Sequence, residues 1–179
     1  PSGYFRQDQA LSLLKSYLKA VYGDGDWVKG YSEKQVYLNR TLIEDAKIPL
    51  EDIQKKVARF LIQFSGVSSA YPYSAFEASD YSNGNLKRII NNFSPLRSGD
   101  VIVTLNPGWV EKEGIFVTNH NSPYECDSHV PLIWYGWTVN RDMVMRRINM
   151  TGIAATLSSL CKIPFPNSCT GEPMTELFR

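Results

Sequence analysis

Apolar residues recur at helical spacing in two long stretches. From Gln7 to Gly23, Leu11, Leu14, Leu18 and Val21 form one stripe, and Gly23 and Gly25 end it. From Ile48 to Phe64, Leu50, Ile53, Val57, Phe60, Leu61 and Phe64 recur at steps of three and four. Pro49 opens that segment and Gly66 closes it. A shorter helix over 83–95 uses Leu86, Ile89, Ile90 and Phe93. Residues 27–31 and 35–39 read as strands joined by the polar turn Ser32-Glu33-Lys34. Residues 67–74 read as a further strand. Val101–Leu105 is an apolar-rich strand between the turn signals Ser98-Gly99-Asp100 and Pro107-Gly108. A weaker strand over 114–120 delivers His120 at its end. The run Val130–Trp137 is apolar without interruption and predicts a strand buried on both faces. A last helix is predicted from Asp142 to Ile163, before Pro164 and Pro166.

Helices and strands therefore alternate, which places the chain in the α/β class with an α+β insertion. The part from about 27 to 110 reads β-β-α-β-α-β and is expected to close as a ferredoxin-like sheet with helices on one face. The part from about 115 onward offers one buried strand and one helix, too little for a core of its own. It is expected to be the edge of a larger doubly wound sheet. The expected division is 1–114 and 115–179.

Composition narrows the function. An apolar fraction of 43% with 10 Tyr, 8 Phe and 4 Trp supports a packed core. The net charge is +1, from 19 basic and 18 acidic residues, with no long basic run, so no nucleic-acid partner is indicated. No run of eighteen apolar residues exists to span a membrane as a helix. Three cysteines in no CxxC pattern argue against a disulfide framework. Cys161 and Cys169, with two prolines between them, leave one disulfide open. No signal peptide is recognisable, and the chain opens with Pro1 in a loop-like stretch, as a processed protein or a piece of a longer one would.

The candidate chemistry lies in Thr118–Trp137. Both histidines of the chain, His120 and His129, fall here, with Glu125, Cys126 and Asp127 between them. His120, Cys126, Asp127 and His129 are residue types that bind zinc, although their spacing matches no closed zinc module. Cys126 with either histidine also has the makings of a nucleophile pair, although no third orienting group is identifiable. The remaining alternative is a loop histidine followed by one hydrogen-bonded at the start of a buried strand. The aromatic segment Ala70–Tyr81 reads either as strand and loop packing or as the rim of a substrate pocket.

The stretch HNSPYECDSHVPLIWYG resembles the H-G-S-P-Y-x-Y-D-T-H-V-P-L-x-x-Y-G block of bacterial alkaline phosphatases of the type I phosphodiesterase/nucleotide pyrophosphatase group, within the alkaline phosphatase superfamily. TGIAATLSSLCKIPFPNSCTGEPMTEL is similar to the closing D-I-A-P-T-L segment of that family. RSGDVIVTLNPGW resembles its S-G-D strand followed by Pro-Gly-aromatic, and WVKGYSEKQVYLN the region between its catalytic blocks. The resemblance runs along essentially the whole chain, in order.

The resemblance implies a phosphoric ester hydrolase, phosphatase or phosphodiesterase, that binds two zinc ions in one site. The family's ligands are an N-terminal Asp, the Thr or Ser nucleophile, an Asp-x-x-x-His pair, an Asp-His pair and one late histidine. One zinc activates the nucleophile and the other stabilises the leaving oxygen. Only the late histidine falls within this chain, at His120, which is thereby implied as a zinc ligand. His129 aligns with a non-ligand histidine and is implied to be structural. The nucleophile is expected upstream. The chain is accordingly expected to be a C-terminal piece of a roughly threefold larger enzyme, to be inactive alone, and to belong to an exported, periplasmic or secreted protein. Its first part would cap the active site. Asn121 stands where the family has Gly, a substitution that left-handed backbone geometry tolerates. Gly152 and Ala155 replace the Asp and Pro of D-I-A-P-T without touching the chemistry. The alternative is a non-catalytic binding domain derived from the same fold.

Overall fold

The computed structural model describes residues 2–77, 84–112, 122–136 and 139–178. These fall into two compact units, Pro1–Val130 and Pro131–Arg179.

In the first unit, β1 (Gly3–Phe5) leads into α1 (Gln7–Tyr22), and β2 (Val28–Ser32) and β3 (Gln35–Leu38) form a hairpin. Then come α2 (Arg40–Asp45), α3 (Leu50–Leu61), β4 (Val67–Pro72), α4 (Tyr73–Glu77), α5 (Gly84–Asn91), β5 (Val101–Leu105), β6 (Trp109–Glu111) and α6 (Glu125–Ser128). Four strands make an antiparallel sheet in the order β2-β3-β5-β4. β5 is thus inserted between β3 and β4, the two strands that α2 and α3 connect, as in a split β-α-β unit. β1 pairs in parallel with β6, its partner from the far end of the unit.

Period explains the two long helices. On α1, Ala10, Leu14 and Leu18 are buried at steps of four. The expected stripe shifts at its end: Val21 is exposed, while Tyr17 stacks on Phe60 of α3 with ring centroids 4.7 Å apart. On α3, Ile53, Val57, Ala58 and Leu61 are buried, and the helix lies against β4 and β5. From the sheet, Val36, Leu38, Val101, Val103 and Leu105 enter the same core at period two. The β2–β3 turn holds Glu33 and Lys34 at φ +48° and +62°, the left-handed pair that matches strand twist in a two-residue hairpin.

α3 ends at Leu61, earlier than the glycine expected to close it, and Gly66 instead turns the chain into β4. Its φ is +90°, and a Cβ there would lie 2.0 Å from Cε3 of Trp109, whose ring covers the turn. Gly66→Ala is expected to cost at least about 2 kcal/mol, from the left-handed backbone and displacement of the indole together. Urea denaturation of the chain checks this.

In the second unit, α7 (Gly152–Cys161) is followed by a 3-10 turn at Thr175–Phe178. Thr156 joins the two segments: its Oγ1 donates to the Gly152 carbonyl at 2.7 Å and accepts the Met174 N–H at 2.9 Å. Two sequence expectations are corrected here. Residues 130–136 form no strand, and Ile133 and Tyr135 are 82% and 101% exposed. A strand of that kind needs a hydrogen-bonding neighbour on each side and cover on both faces, and the described residues of this unit contain no strand. The final helix begins at Gly152 rather than Asp142. Asp142 Oδ1 accepts the Met143 N–H at 2.7 Å, a local bond that competes with helix formation.

Candidate functional site

His120 and the predicted strand leading to it lie outside the described residues. Description of the histidine segment begins at Ser122 and runs into α6. Tyr124 precedes the helix in extended conformation, Ser128 Oγ donates back to the Tyr124 carbonyl at 2.8 Å, and His129 ends the turn with its N–H on the Glu125 carbonyl at 2.9 Å. Glu125, Cys126, Asp127 and His129 are all exposed. Among the described residues, no group of three or more His, Cys, Asp or Glu side chains converges as a metal site would require. Cys126, Asp127 and His129 therefore do not form a self-contained zinc centre.

Two side chains from elsewhere pin this segment. Tyr124 donates its hydroxyl to the Leu105 carbonyl at the end of β5, at 2.9 Å. Arg88, on α5, donates one guanidinium nitrogen to the Pro123 carbonyl at 2.5 Å and another to Glu125 Oε1 at 2.8 Å. The residues that follow His120 are thus tied to the sheet and to a helix that precedes it by more than one element. No sequence signal marked Arg88, which lies on what reads as the polar face of a short helix. Both partners of its ion pair are partly exposed, so solvent screens it. Arg88→Ala is expected to lower global stability by no more than about 1 kcal/mol while speeding hydrogen exchange at the Asp127, Ser128 and His129 amides several-fold. Exchange measured by mass spectrometry on that peptide distinguishes the two effects.

Asp100, the acidic residue of Ser98-Gly99-Asp100, is a buried polar node rather than a ligand. Its carboxylate accepts from the Leu38 N–H at 2.8 Å, Arg40 Nε at 2.9 Å and Gln54 Nε2 at 3.1 Å. In the aromatic segment, Tyr73 stacks on Phe93 at 5.0 Å and Phe76 lies 5.4 Å from the same ring. Tyr73 and Phe76 thus engage in packing, and 78–83 lie outside the described residues. All three cysteines are free thiols.

A cleft of about 250 Å³ opens beside the histidine segment, between the β5–β6 turn and residues 122–127. Lys34, Asn106, Trp109, Ser122, Tyr124 and Cys126 line it. The Ser122 hydroxyl is buried and has no hydrogen-bond partner among the described residues.

No family model matches the chain. The chain is 29% identical to the alkaline phosphatase PafA of Elizabethkingia meningoseptica over 177 residues, covering 99% of this chain and 32% of that protein. The crystal structure of wild-type PafA superposes on all of this chain and 34% of its own, with a TM-score of 0.88. A calcium-transporting ATPase of Myroides odoratus is 32% identical over 179 residues, covering 98% of this chain and 32% of that protein. Alkaline phosphatase PhoV of Synechococcus elongatus is 29% identical over 147 residues, covering 81% of this chain and 26% of that protein. The chain thus spans about a quarter to a third of the length of the relatives it matches.

Proposed function

We propose, from the premise that this chain belongs with the alkaline phosphatases along its whole length, that the protein carrying it hydrolyses phosphate esters. The observation that supports this most is the joint likeness in sequence and structure to PafA, which leaves no part of the chain unmatched. His120 is proposed to supply one zinc ligand, two zinc ions being the expected complement. The described residues of this chain do not make up a metal site, so the remaining ligands and the nucleophile are assigned to other parts of the longer protein. The same proposal makes that protein an exported one, periplasmic or secreted. The 179 residues contribute a shaped support: a sheet and a helix that hold the segment after His120 at fixed points through Tyr124 and Arg88.

The test is hydrolysis of p-nitrophenyl phosphate and of bis-p-nitrophenyl phosphate by the longer protein and by the 179-residue chain. Turnover by the longer protein, lost on chelation and restored by zinc, is expected with at least one of the two. The isolated chain is expected to stay at the uncatalysed rate, a deficit of at least about a millionfold. An inactive longer protein would favour a binding domain derived from this fold.

A further inference from the structure

The cleft between the β5–β6 turn and residues 122–127 has no assigned occupant. It is bounded on one side by Ser122, two positions after His120 in sequence. We propose that this cleft is the subsite for the alcohol portion of the phosphate ester, and that it takes a flat, largely apolar group of aromatic-ring size carrying one hydrogen-bonding atom. The inference rests on the proposed phosphate-ester hydrolysis.

Size, lining and an unmet polar group argue for that class. A dry apolar cavity of about 150 Å³ accommodates benzene, so about 250 Å³ is room for a substituted ring and too little for a large or branched group. Trp109 and Tyr124 supply aromatic walls, and both are fixed. The Trp109 ring lies against Gly3 and Gly66, where a Cβ would be 2.8 Å and 2.0 Å from it. The Tyr124 hydroxyl is spent on the Leu105 carbonyl. Fixed aromatic faces bind a planar group at small entropic cost. The Ser122 hydroxyl, buried in the same wall without a partner among the described residues, can donate to a ring substituent or to the ester oxygen, and a buried polar group left unmet is costly. Lys34, Asn106 and Asp127 add polar character at the edge of the lining, one cation and one anion among them.

Cys126 provides the test, because it lines the cleft and is exposed to reagents. In the longer protein, with Cys161→Ser and Cys169→Ser so that one thiol of this chain remains, Cys126 is blocked with a benzyl thiosulfonate. Phenyl phosphate is expected to show a KM raised about tenfold, while kcat/KM for methyl phosphate, which has no ring to seat, stays within about twofold. Equal effects on both esters, or none on either, would overturn the subsite. On the 179-residue chain, phenol is expected to slow Cys126 labelling saturably, and absence of protection would overturn it independently of any activity. If neither ester is turned over by the unblocked longer protein, the phosphate-ester proposal fails and the cleft loses its assigned role. Protection by phenol would then still report that the cleft admits a ring.

Discussion

Asp100→Ala is expected to destabilise the unit Pro1–Val130 by about 3 kcal/mol. The Asp100 side chain is 4% exposed and accepts three hydrogen bonds, from a strand N–H (Leu38), a guanidinium (Arg40) and a carboxamide (Gln54). Gln54 is itself buried, and its Oε1 accepts the Ser74 N–H at 3.3 Å, so one carboxylate ties β3, α3 and the β4–α4 junction together. The Asp100 backbone adds to the same junction, its N–H reaching the Val36 carbonyl at 2.7 Å and its carbonyl accepting from the Tyr73 N–H at 2.9 Å. Alanine keeps those backbone bonds and deletes the carboxylate. Arg40 is 49% exposed and returns to water at little cost. The Leu38 N–H and the Gln54 amide cannot, and two buried donors without acceptors cost about 1–3 kcal/mol each. Asp100→Asn retains one oxygen and is expected to lose about a third as much. Urea denaturation of the 179-residue chain measures both. A loss for alanine no larger than a surface substitution, within about 0.5 kcal/mol, would show that the node does not hold the sheet to α3.

The elements legible in the sequence are those whose pattern is local and long. α1 and α3 each show several turns of apolar recurrence, and the strands 28–32, 35–38, 67–72 and 101–105 appear within a residue or two of where alternation and turn residues put them. The pairing of β1 with β6 was not legible, because two three-residue strands joined across most of a unit leave no periodic trace. α2, α4 and α6 are four to six residues long, too short to show a stripe. Asn39 capping the Leu42 N–H is the one local signal that announces α2. The run at 130–137 misled for a different reason. Hydrophobicity states that a segment is suited to burial, whereas a strand also needs partners, and partners are not encoded in the segment itself.

The candidate site was legible as a block of residues and not as a geometry. The order of His120, Pro123, Tyr124, Asp127 and His129 sufficed for the resemblance, and the comparison with PafA bears out the likeness to alkaline phosphatases. The tethers to Leu105 and Arg88 join positions 19 and 35 residues apart. Nothing in the composition of either segment announces them. The grouping suggested by residue type does not form among the described Cys126, Asp127 and His129, whose side chains stand exposed to solvent around a four-residue helix.

His120 is the residue on which the functional account depends. Losing an outer-shell partner of a metal ligand costs about 10–100-fold in affinity or activity, so removing a ligand is expected to cost more than about 100-fold. The decisive measurement is therefore made on the longer protein with His120→Ala, recording zinc per protein by elemental analysis together with kcat/KM for p-nitrophenyl phosphate. His129→Ala serves as the matched control, its imidazole being exposed on the far side of α6 in sequence. The expected result is that His120→Ala loses zinc and more than about 100-fold of kcat/KM, while His129→Ala keeps its zinc and most of its rate. Full zinc occupancy and near-normal turnover in His120→Ala would contradict the assignment.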